Sequence, residues 1–293
     1  MKVQTVPVPP ESEGMKTGLF LRQIFPDLPE SVLRKVFSSR DVKADGVRVT
    51  RDTPLHAGQA LTVFLPGEVK GTDSLRVVYE DEDVLLVNKP AGVSVEKDEE
   101  GNLSLSALCL LHVSSASPAS PPAFAPAACH RLDNRTSGLC LFAKNEAALA
   151  ILQEAFRLRT VEKYYTCLVR GIMKPASAVC EAWLLKDSVR AKVRILDHQV
   201  PGARPIVTGY ETLESGPVSR LRVHLITGRT HQIRAHLAAL GHPVLGDDLY
   251  GDRDYNRLRK CRSLRLCATS LTLSTSGRLP DLDSRTFEIA PPF

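Results

Sequence analysis

The sequence predicts an α+β fold with a mostly antiparallel central sheet, flanking helices and a basic cleft, preceded by a small amino-terminal α+β domain. Short apolar runs at 84–87 and 139–143 have the length of buried strands. Leu149, Leu152 and Phe156 recur at helical spacing. The 293 residues, 43% of them hydrophobic, can supply one large core and a smaller appendage.

The amino-terminal 70 residues are predicted to form the smaller domain. Residues 29–49 contain a helix with Val32, Leu33, Val36 and Phe37 on its apolar side. A turn at 45–46 and a strand at 61–65 complete a small hairpin-like unit. Residues 66–74 are predicted to be a linker to the larger domain, 71–293.

The basic side of that helix indicates a phosphate-binding surface. The segment Arg34-Lys35-Val36-Phe37, followed by 42–46 and Gly58, resembles the alpha-L RNA-binding module found in a small-subunit ribosomal protein and in several RNA-modifying enzymes. The module's usual Val-Asn-Gly turn is Ala44-Asp45-Gly46 here. The resemblance implies RNA contacts through four cations, Arg34, Lys35, Arg40 and Lys43. A solvated basic helix is the alternative.

The larger domain is predicted from strand and helix patterns. Strands are expected at 75–79, 84–87, 139–143, 165–169, 191–196 and 221–226. Helices are expected at 146–156, capped by Asn145, and after Thr230, ending at Gly241. Residues 114–128, rich in proline, serine and alanine, are predicted to be a flexible loop. That loop is either a lid over the substrate or a tolerated variation in loop length.

Charge and cysteine content limit the functional classes. The net charge of +5 and the pI of about 8.8 favour a polyanionic partner. No apolar run reaches membrane-spanning length and the first residues lack a signal-peptide core, so a cytoplasmic protein is expected. Seven cysteines without a CxxC pair indicate reduced thiols, with neither disulfides nor a metal site.

The segment 130–138, His-Arg-Leu-Asp-Asn-Arg-Thr-Ser-Gly, places one carboxylate between two arginines ahead of an apolar strand. This arrangement indicates an anionic substrate, although a solvated turn has the same composition. A second cluster, 225–236, places Arg229 where a strand meets a helix. His231 and His236 are five residues apart, which does not put two metal ligands on one helical face.

Both clusters, with Lys163-Tyr164-Tyr165, resemble the RluA-like family of pseudouridine synthases from about residue 75 to the end. The family's His-Arg-Leu-Asp and Thr-Ser-Gly motif matches 130–138, and 88–92 and 227–232 match as well. One departure is Leu266-Cys267-Ala268, where the family commonly has Leu-His-Ala. The resemblance implies a pseudouridine synthase fold and the isomerisation of uridine to pseudouridine in structured ribosomal or transfer RNA. It also implies that no cofactor is needed.

The resemblance also implies roles for individual residues. Asp133 is the catalytic acid, which either attacks the sugar or stabilises its cation. Arg229 is its salt-bridge partner, and Tyr165 stacks on the uracil and assists late proton removal. Four residues are expected to bind substrate: Arg131, which fills the flipped base's place or grips a phosphate, Leu225, His130 and Thr136.

The cations at 253–265, including Arg257 and Arg259, predict a second RNA-binding surface or, alternatively, a solvated helix. The protein is expected to act as a monomer. Two other functions remain open on the sequence: an RNA chaperone or ribosome-assembly factor without catalysis, and a hydrolase that releases the base. Free uracil among the products would favour the hydrolase.

Overall fold

The computed structural model describes residues 2–25, 30–65, 75–96, 104–116, 124–187 and 192–293. The chain divides into two compact units. Unit 1 comprises residues 1–89, 93–128 and 141–149, and unit 2 comprises 90–92, 129–140 and 150–293. The predicted linker at 66–74 and much of the predicted loop lie outside the described residues.

Unit 1 contains a four-stranded antiparallel sheet in the order β1-β4-β2-β3. Its elements are β1 (Lys2–Pro7), a 3-10 turn (Pro10–Ser12), α1 (Thr17–Ile24), α2 (Glu30–Ser38), β2 (Val42–Ala44), β3 (Val47–Arg48) and β4 (Ala60–Leu65). The Asp45-Gly46 turn has both residues at positive φ, 48° and 79°, as a tight two-residue hairpin requires. Helix α2 ends at Ser38, so the predicted helix over 29–49 was too long: residues 42–48 form the hairpin.

The small core beneath this sheet includes a helix that the sequence did not predict. Helix α3 (Leu105–Ala116) contributes Ala107 and Leu111 to the cluster formed by Phe20, Leu33 and Leu61. The hydroxyl of Ser104 donates to Glu11, at 2.6 Å, in the same unit. Part of the amino-terminal core is therefore supplied by residues beyond position 70.

Helix α3 also corrects the predicted flexible loop at 114–128. Residues 114–116 are the last residues of α3, and Ala127–Ala128 form the short strand β7. The apolar residues of α3 are distributed around the whole helix, so its sequence lacks the one-sided apolar pattern of a surface helix.

The rest of unit 1 is built on the hairpin of β5 (Arg76–Glu80) and β6 (Val84–Lys89), as predicted. Two further elements, β8 (Ser137–Ala143) and α4 (Glu146–Leu158), are shared between the units by the chain division. The predicted cap of α4 is confirmed, because the Ala148 N–H donates to the Asn145 side chain at 2.8 Å.

Unit 2 is dominated by a large sheet in the order β11-β10-β12-β13-β9-β14-β8. Only the β14–β8 pair is parallel among these described strands, which confirms a mostly antiparallel α+β fold. The elements are β9 (Glu162–Arg170), β10 (Ser177–Asp187), β11 (Lys192–Leu196), β12 (Arg204–Glu214), β13 (Val218–Leu225), α5 (Gln232–Ala239), α6 (Arg253–Leu258), β14 (Leu266–Thr272) and β15 (Thr286–Glu288).

Helix α5 covers one face of this sheet. Its Ala235 packs with Leu184, Val193 and Ile206. The residue before the helix is His231, at a left-handed φ of 55°, so the predicted cap at Thr230 was one residue early. No helix in the described ranges is long and apolar enough to cross a membrane.

Candidate active site

The loop that carries Asp133 is tied to unit 2 by its main chain. The Thr136 N–H donates to the Asp133 carbonyl oxygen at 3.0 Å, and the Gly92 N–H donates to the Asn134 carbonyl oxygen at 2.9 Å. Gly138, at φ 117°, allows β14 to approach, because a Cβ there would lie 2.3 Å from the Ala268 carbonyl oxygen. The Thr-Ser-Gly part of the motif therefore holds the acidic loop against β14.

The ion-pair partner of Asp133 is Arg234, not Arg229. The Arg234 Nη1 lies 3.4 Å from Asp133 Oδ2, and the Arg234 side chain is 3% exposed. Arg229 precedes α5, its side chain is exposed, and its main-chain N–H donates to Gln232 Oε1 at 3.1 Å. Among the described residues, Arg229 makes no ion pair. The predicted salt bridge was correct in kind and wrong in its cation.

Arg234 is held by a second carboxylate that the sequence analysis did not single out. Its Nε lies 2.7 Å from Asp247 Oδ2, and its Nη2 lies 2.9 Å from Asp247 Oδ1, a two-point ion pair. Burial alone would raise the pKa of Asp247, but the hydrogen bonds and charge of Arg234 hold it below its usual range. Asp247 stays ionised at neutral pH and fixes the guanidinium plane, so that Nη1 points at Asp133.

A further ion pair extends the cluster toward solvent. Asp248, 55% exposed, accepts from Arg234 Nη2 at 3.5 Å, and its Oδ2 lies 2.5 Å from Arg135 Nη1. The second arginine of the loop motif therefore binds a carboxylate of its own unit. Asp133, Asp247 and Asp248 surround Arg234, and Arg135 balances the outermost of them.

Tyr165 is buried in β9, between Val223 of β13 and Ala268 of β14 in the sheet register. Burial first, and then the negative charge of Asp133, raise the pKa of the Tyr165 phenol far above its usual range. The phenol therefore stays protonated at neutral pH. Leu225, also buried, is two residues beyond Val223 and faces the same side of the sheet as Tyr165.

The remaining predicted substrate residues differ in exposure. Arg131 is exposed, and Thr136 is buried. The His130 ring stacks on Phe156, with centroids 4.9 Å apart. Burial, together with the charge of Lys163, lowers the pKa of His130 to about 4, so the ring is neutral at pH 7. The stacking on Phe156 gives His130 a packing role beside the loop.

The histidines of the second cluster have hydrogen-bond partners within unit 2. His231 Nδ1 lies 3.0 Å from the Tyr250 hydroxyl, and His236 Nδ1 lies 3.0 Å from the Thr208 hydroxyl. Within the described ranges, no group of three potential metal ligands is found. His231 also presents Nε2 to Asp133 Oδ2 at 4.0 Å, a contact that the sequence analysis missed.

The predicted RNA-binding cations are exposed on their own units, except Lys43, which is half-buried. In unit 1, Arg34 is 74% exposed and pairs loosely with Glu30, while Lys43 lies 5.6 Å above the Phe64 ring. In unit 2, Arg257 is 81% exposed on α6, and Arg259 lies 5.4 Å from the Tyr255 ring centroid. Lys35 and Arg40 are exposed as well.

Comparison with known proteins identifies the family. A family model described as RNA pseudouridylate synthase matches residues 83–239, more than half of the chain. The chain belongs to the RNA pseudouridylate synthase family. It is therefore an RNA pseudouridine synthase, an isomerase, as the sequence motifs predicted.

Individual relatives of this pseudouridine synthase cover most of its length. The ribosomal large subunit pseudouridine synthase C of Vibrio vulnificus (strain CMCP6) is 34% identical over 87% of this chain and 82% of its own. The protein of the same name from Escherichia coli (strain K12) is 30% identical over the same shares. The solved structure of human RNA Pseudouridylate Synthase Domain Containing 1 covers 78% of this chain and 86% of its own, with a TM-score of 0.59 and 28% identity.

A sequence signal for Arg234 existed in the synthase. Arg234 and Leu237 are three residues apart in α5, so they share one side of the helix, and that side is apolar. A cation on an apolar helix side requires a buried carboxylate, and the Asp247-Asp248 pair follows within one short segment. This pattern favours Arg234 over Arg229, which precedes the helix.

Proposed function

We propose that this synthase modifies specific uridines of structured ribosomal RNA, with Asp133 as its catalytic acid. The proposal rests on one observation: the Asp133 carboxylate is 24% exposed and faces the buried guanidinium of Arg234 at 3.4 Å. The guanidinium orients the carboxylate from one side, while the other side remains open to a substrate. The names of the bacterial relatives, ribosomal large subunit synthases, support ribosomal over transfer RNA.

The reaction is balanced without a cofactor. The bond between the ribose carbon and the uracil nitrogen breaks, the uracil turns, and a ring carbon bonds to the same ribose carbon. The hydrogen on that ring carbon is lost as a proton, and the nitrogen that was released gains one. Asp133 either attacks the ribose carbon or stabilises its positive charge, and Arg234 serves both routes because its ion pair orients the carboxylate.

Tyr165 and Leu225 are proposed to hold the uracil between them. Both side chains face the same side of the sheet, and both are buried in the free protein. A base can reach such a slot only after it leaves its stack, so the target nucleotide must be flipped out. Since the raised pKa keeps Tyr165 protonated, the phenol begins as a hydrogen-bond donor and not as a base. Arg131 is exposed next to Asp133. We propose that it either fills the space that the flipped nucleotide leaves in the RNA or binds the flanking phosphate.

Recognition of the RNA is proposed to come from two basic surfaces, on which every cation except the half-buried Lys43 is exposed. One consists of Arg34, Lys35, Arg40 and Lys43 in unit 1, and the other of Arg257 and Arg259 in unit 2. Exposed cations follow a phosphate backbone without reading its sequence, so RNA shape selects the uridine. We propose that the enzyme acts in the cytoplasm. We also propose that it acts as a monomer, because its proposed site uses residues of one unit of a single chain.

The test of this function is Asp133→Asn, which keeps the shape of the side chain and removes its charge. We expect turnover on ribosomal RNA to fall at least about a thousand-fold, with RNA affinity retained. Pseudouridine mapping of total RNA, from cells with and without the protein, identifies the target. Asp248→Asn is the matched control, because it removes a carboxylate of the same cluster that is more exposed.

The outcomes separate three functions. Turnover by Asp133→Asn would overturn the assigned acid. RNA binding with no missing pseudouridine in the deleted cells would favour a non-catalytic assembly factor. Release of free uracil would favour a base-cleaving hydrolase.

A further inference from the structure

His231 lies at the end of a hydrogen-bond chain that leads to the proposed acid. The Val193 N–H donates to the Tyr250 hydroxyl oxygen at 2.9 Å. The same oxygen lies 3.0 Å from His231 Nδ1, and His231 Nε2 lies 4.0 Å from Asp133 Oδ2. All four residues belong to unit 2.

The chain limits where the imidazole proton can be. Burial raises the pKa of the Tyr250 phenol, so the hydroxyl keeps its hydrogen at neutral pH. With Val193 donating to its oxygen, that hydrogen has His231 Nδ1 as its acceptor. The opposite arrangement, with hydrogen on Nδ1, would turn the Nε2 lone pair toward a carboxylate, which is electrostatically unfavourable.

We propose that His231 is a positioning residue, which presents a neutral Nε2–H to Asp133 and is locked in that tautomer by Tyr250 and the Val193 N–H. This inference rests on the proposed function, since it assigns His231 a task only if Asp133 is the acid. The proposed effect of His231 on the reaction is transmitted through Asp133. The His231 partner Tyr250 also contacts Arg234, whose guanidinium lies 5.4 Å from the Tyr250 ring centroid.

The charged groups around His231 decide whether its ring is neutral. Asp133, Asp247 and Asp248 favour the charged form, Arg234 opposes it, and the Tyr250 hydroxyl bonds to Nδ1. Burial outweighs the three carboxylates, so the pKa of His231 is below its ordinary value. A neutral donor orients Asp133 without adding a second full positive charge beside it.

The position of His231 also identifies the reactive oxygen. Arg234 Nη1 and His231 Nε2 both face Oδ2 of Asp133, at 3.4 and 4.0 Å. In the described parts of the chain, no hydrogen bond or ion pair is formed with Oδ1. Oδ1 is therefore the oxygen left available to the ribose, and a separation of 4.0 Å is compatible with a catalytic contact in the free enzyme, where such contacts are often long.

The first experiment reads the tautomer directly. Long-range proton–nitrogen spectra of the full chain at pH 7 resolve the ring nitrogens of the eight histidines, with the His231→Gln variant used for assignment. We expect hydrogen on Nε2 and a bare Nδ1 in the parent, and a mixture of tautomers in Tyr250→Phe, which lacks only the hydroxyl. Hydrogen on Nδ1, or on both nitrogens, would overturn the inference.

The second experiment tests the effect on catalysis. His231→Leu removes the donor, whereas the amide of His231→Gln restores an N–H near the same place. We expect kcat to fall about tenfold in the leucine variant, with KM changed less than twofold and most of the loss recovered in the glutamine variant. Equal losses in the two variants, or a rise in KM alone, would contradict a positioning role.

The two experiments separate this inference from the proposed function. Turnover by Asp133→Asn would contradict the assignment of Asp133 as the acid, whatever the tautomer of His231. The wrong tautomer in the parent would remove the role of His231 and leave Asp133 as the acid.

Discussion

A buried and an exposed arginine of unit 2, Arg234 and Arg257, show how burial changes the role of the same side chain. Arg234 is 3% exposed, with a two-point ion pair to Asp247, whereas Arg257 is 81% exposed, with one loose contact to Asp254 at 3.5 Å. A buried cation must be matched atom by atom, because an unpaired charge in the interior is costly. An exposed cation is hydrated and screened, so its contribution adds to that of its neighbours and depends on salt.

The largest effect is expected at Arg234. Arg234→Leu would leave Asp247 charged and buried without its partner, so we expect a loss of about 3–5 kcal/mol in the free energy of unfolding. Turnover should be lost with it, because Asp133 no longer faces a guanidinium. Thermal unfolding and single-turnover assays measure the two losses, and Arg229→Ala is the matched control.

A double variant separates folding from catalysis at this position. Arg234→Leu combined with Asp247→Leu removes both charges, and we expect most of the stability to return while turnover stays absent. Full activity in the double variant would show that the ion pair with Asp133 is dispensable. A loss in Arg229→Ala as severe as that in Arg234→Leu would restore Arg229 to the site.

The buried and exposed groups also differ in how far the sequence predicted them. The cations of α2 were predicted from the helical pattern and the resemblance to the alpha-L module, and those of α6 from their crowding in one short stretch. Arg234 was missed because its role depends on Asp247, which comes to lie beside it only when α5 and the following loop fold together. The motif predicted the acid and its loop, but the choice between Arg229 and Arg234 depended on where α5 begins.

The helices and strands also differ in how well the sequence predicted them. Strands β6 and β8 were predicted from continuous buried runs, and α4 from its helical period and Asn145 cap. Helix α3 was missed because its own apolar residues lie on all of its sides, so no helical period stands out. Its Ala107 and Leu111 are buried in the core of the small sheet. Strand β10 was missed because its side chains alternate only between exposed and half-exposed, with Leu184 alone fully buried, so its sequence lacks a clear apolar side.

An intermediate effect is expected at Tyr165, which is buried like Arg234 but has no ion pair. Tyr165→Phe keeps the ring and removes the hydroxyl, whereas Tyr165→Ala removes both. We expect the phenylalanine variant to be the milder by about tenfold or more in kcat, because stacking on the uracil survives. Single-turnover rates on the mapped RNA measure the difference, and equal losses would make the phenol group itself essential.

The smallest effect is expected at the exposed cations of α6. If Arg257 and Arg259 contact phosphates, RNA affinity should fall steeply with added salt, and Arg257→Glu with Arg259→Glu should flatten that dependence. Each lost phosphate contact lowers the slope of log affinity against log salt by about 0.7–0.9. Arg157→Glu, at a 70% exposed position on α4, is the control for Arg257→Glu alone, because each of these single changes alters the net charge equally. An unchanged slope in the double variant would show that Arg257 and Arg259 do not contact RNA phosphates. RNA recognition would then depend on the cations of unit 1.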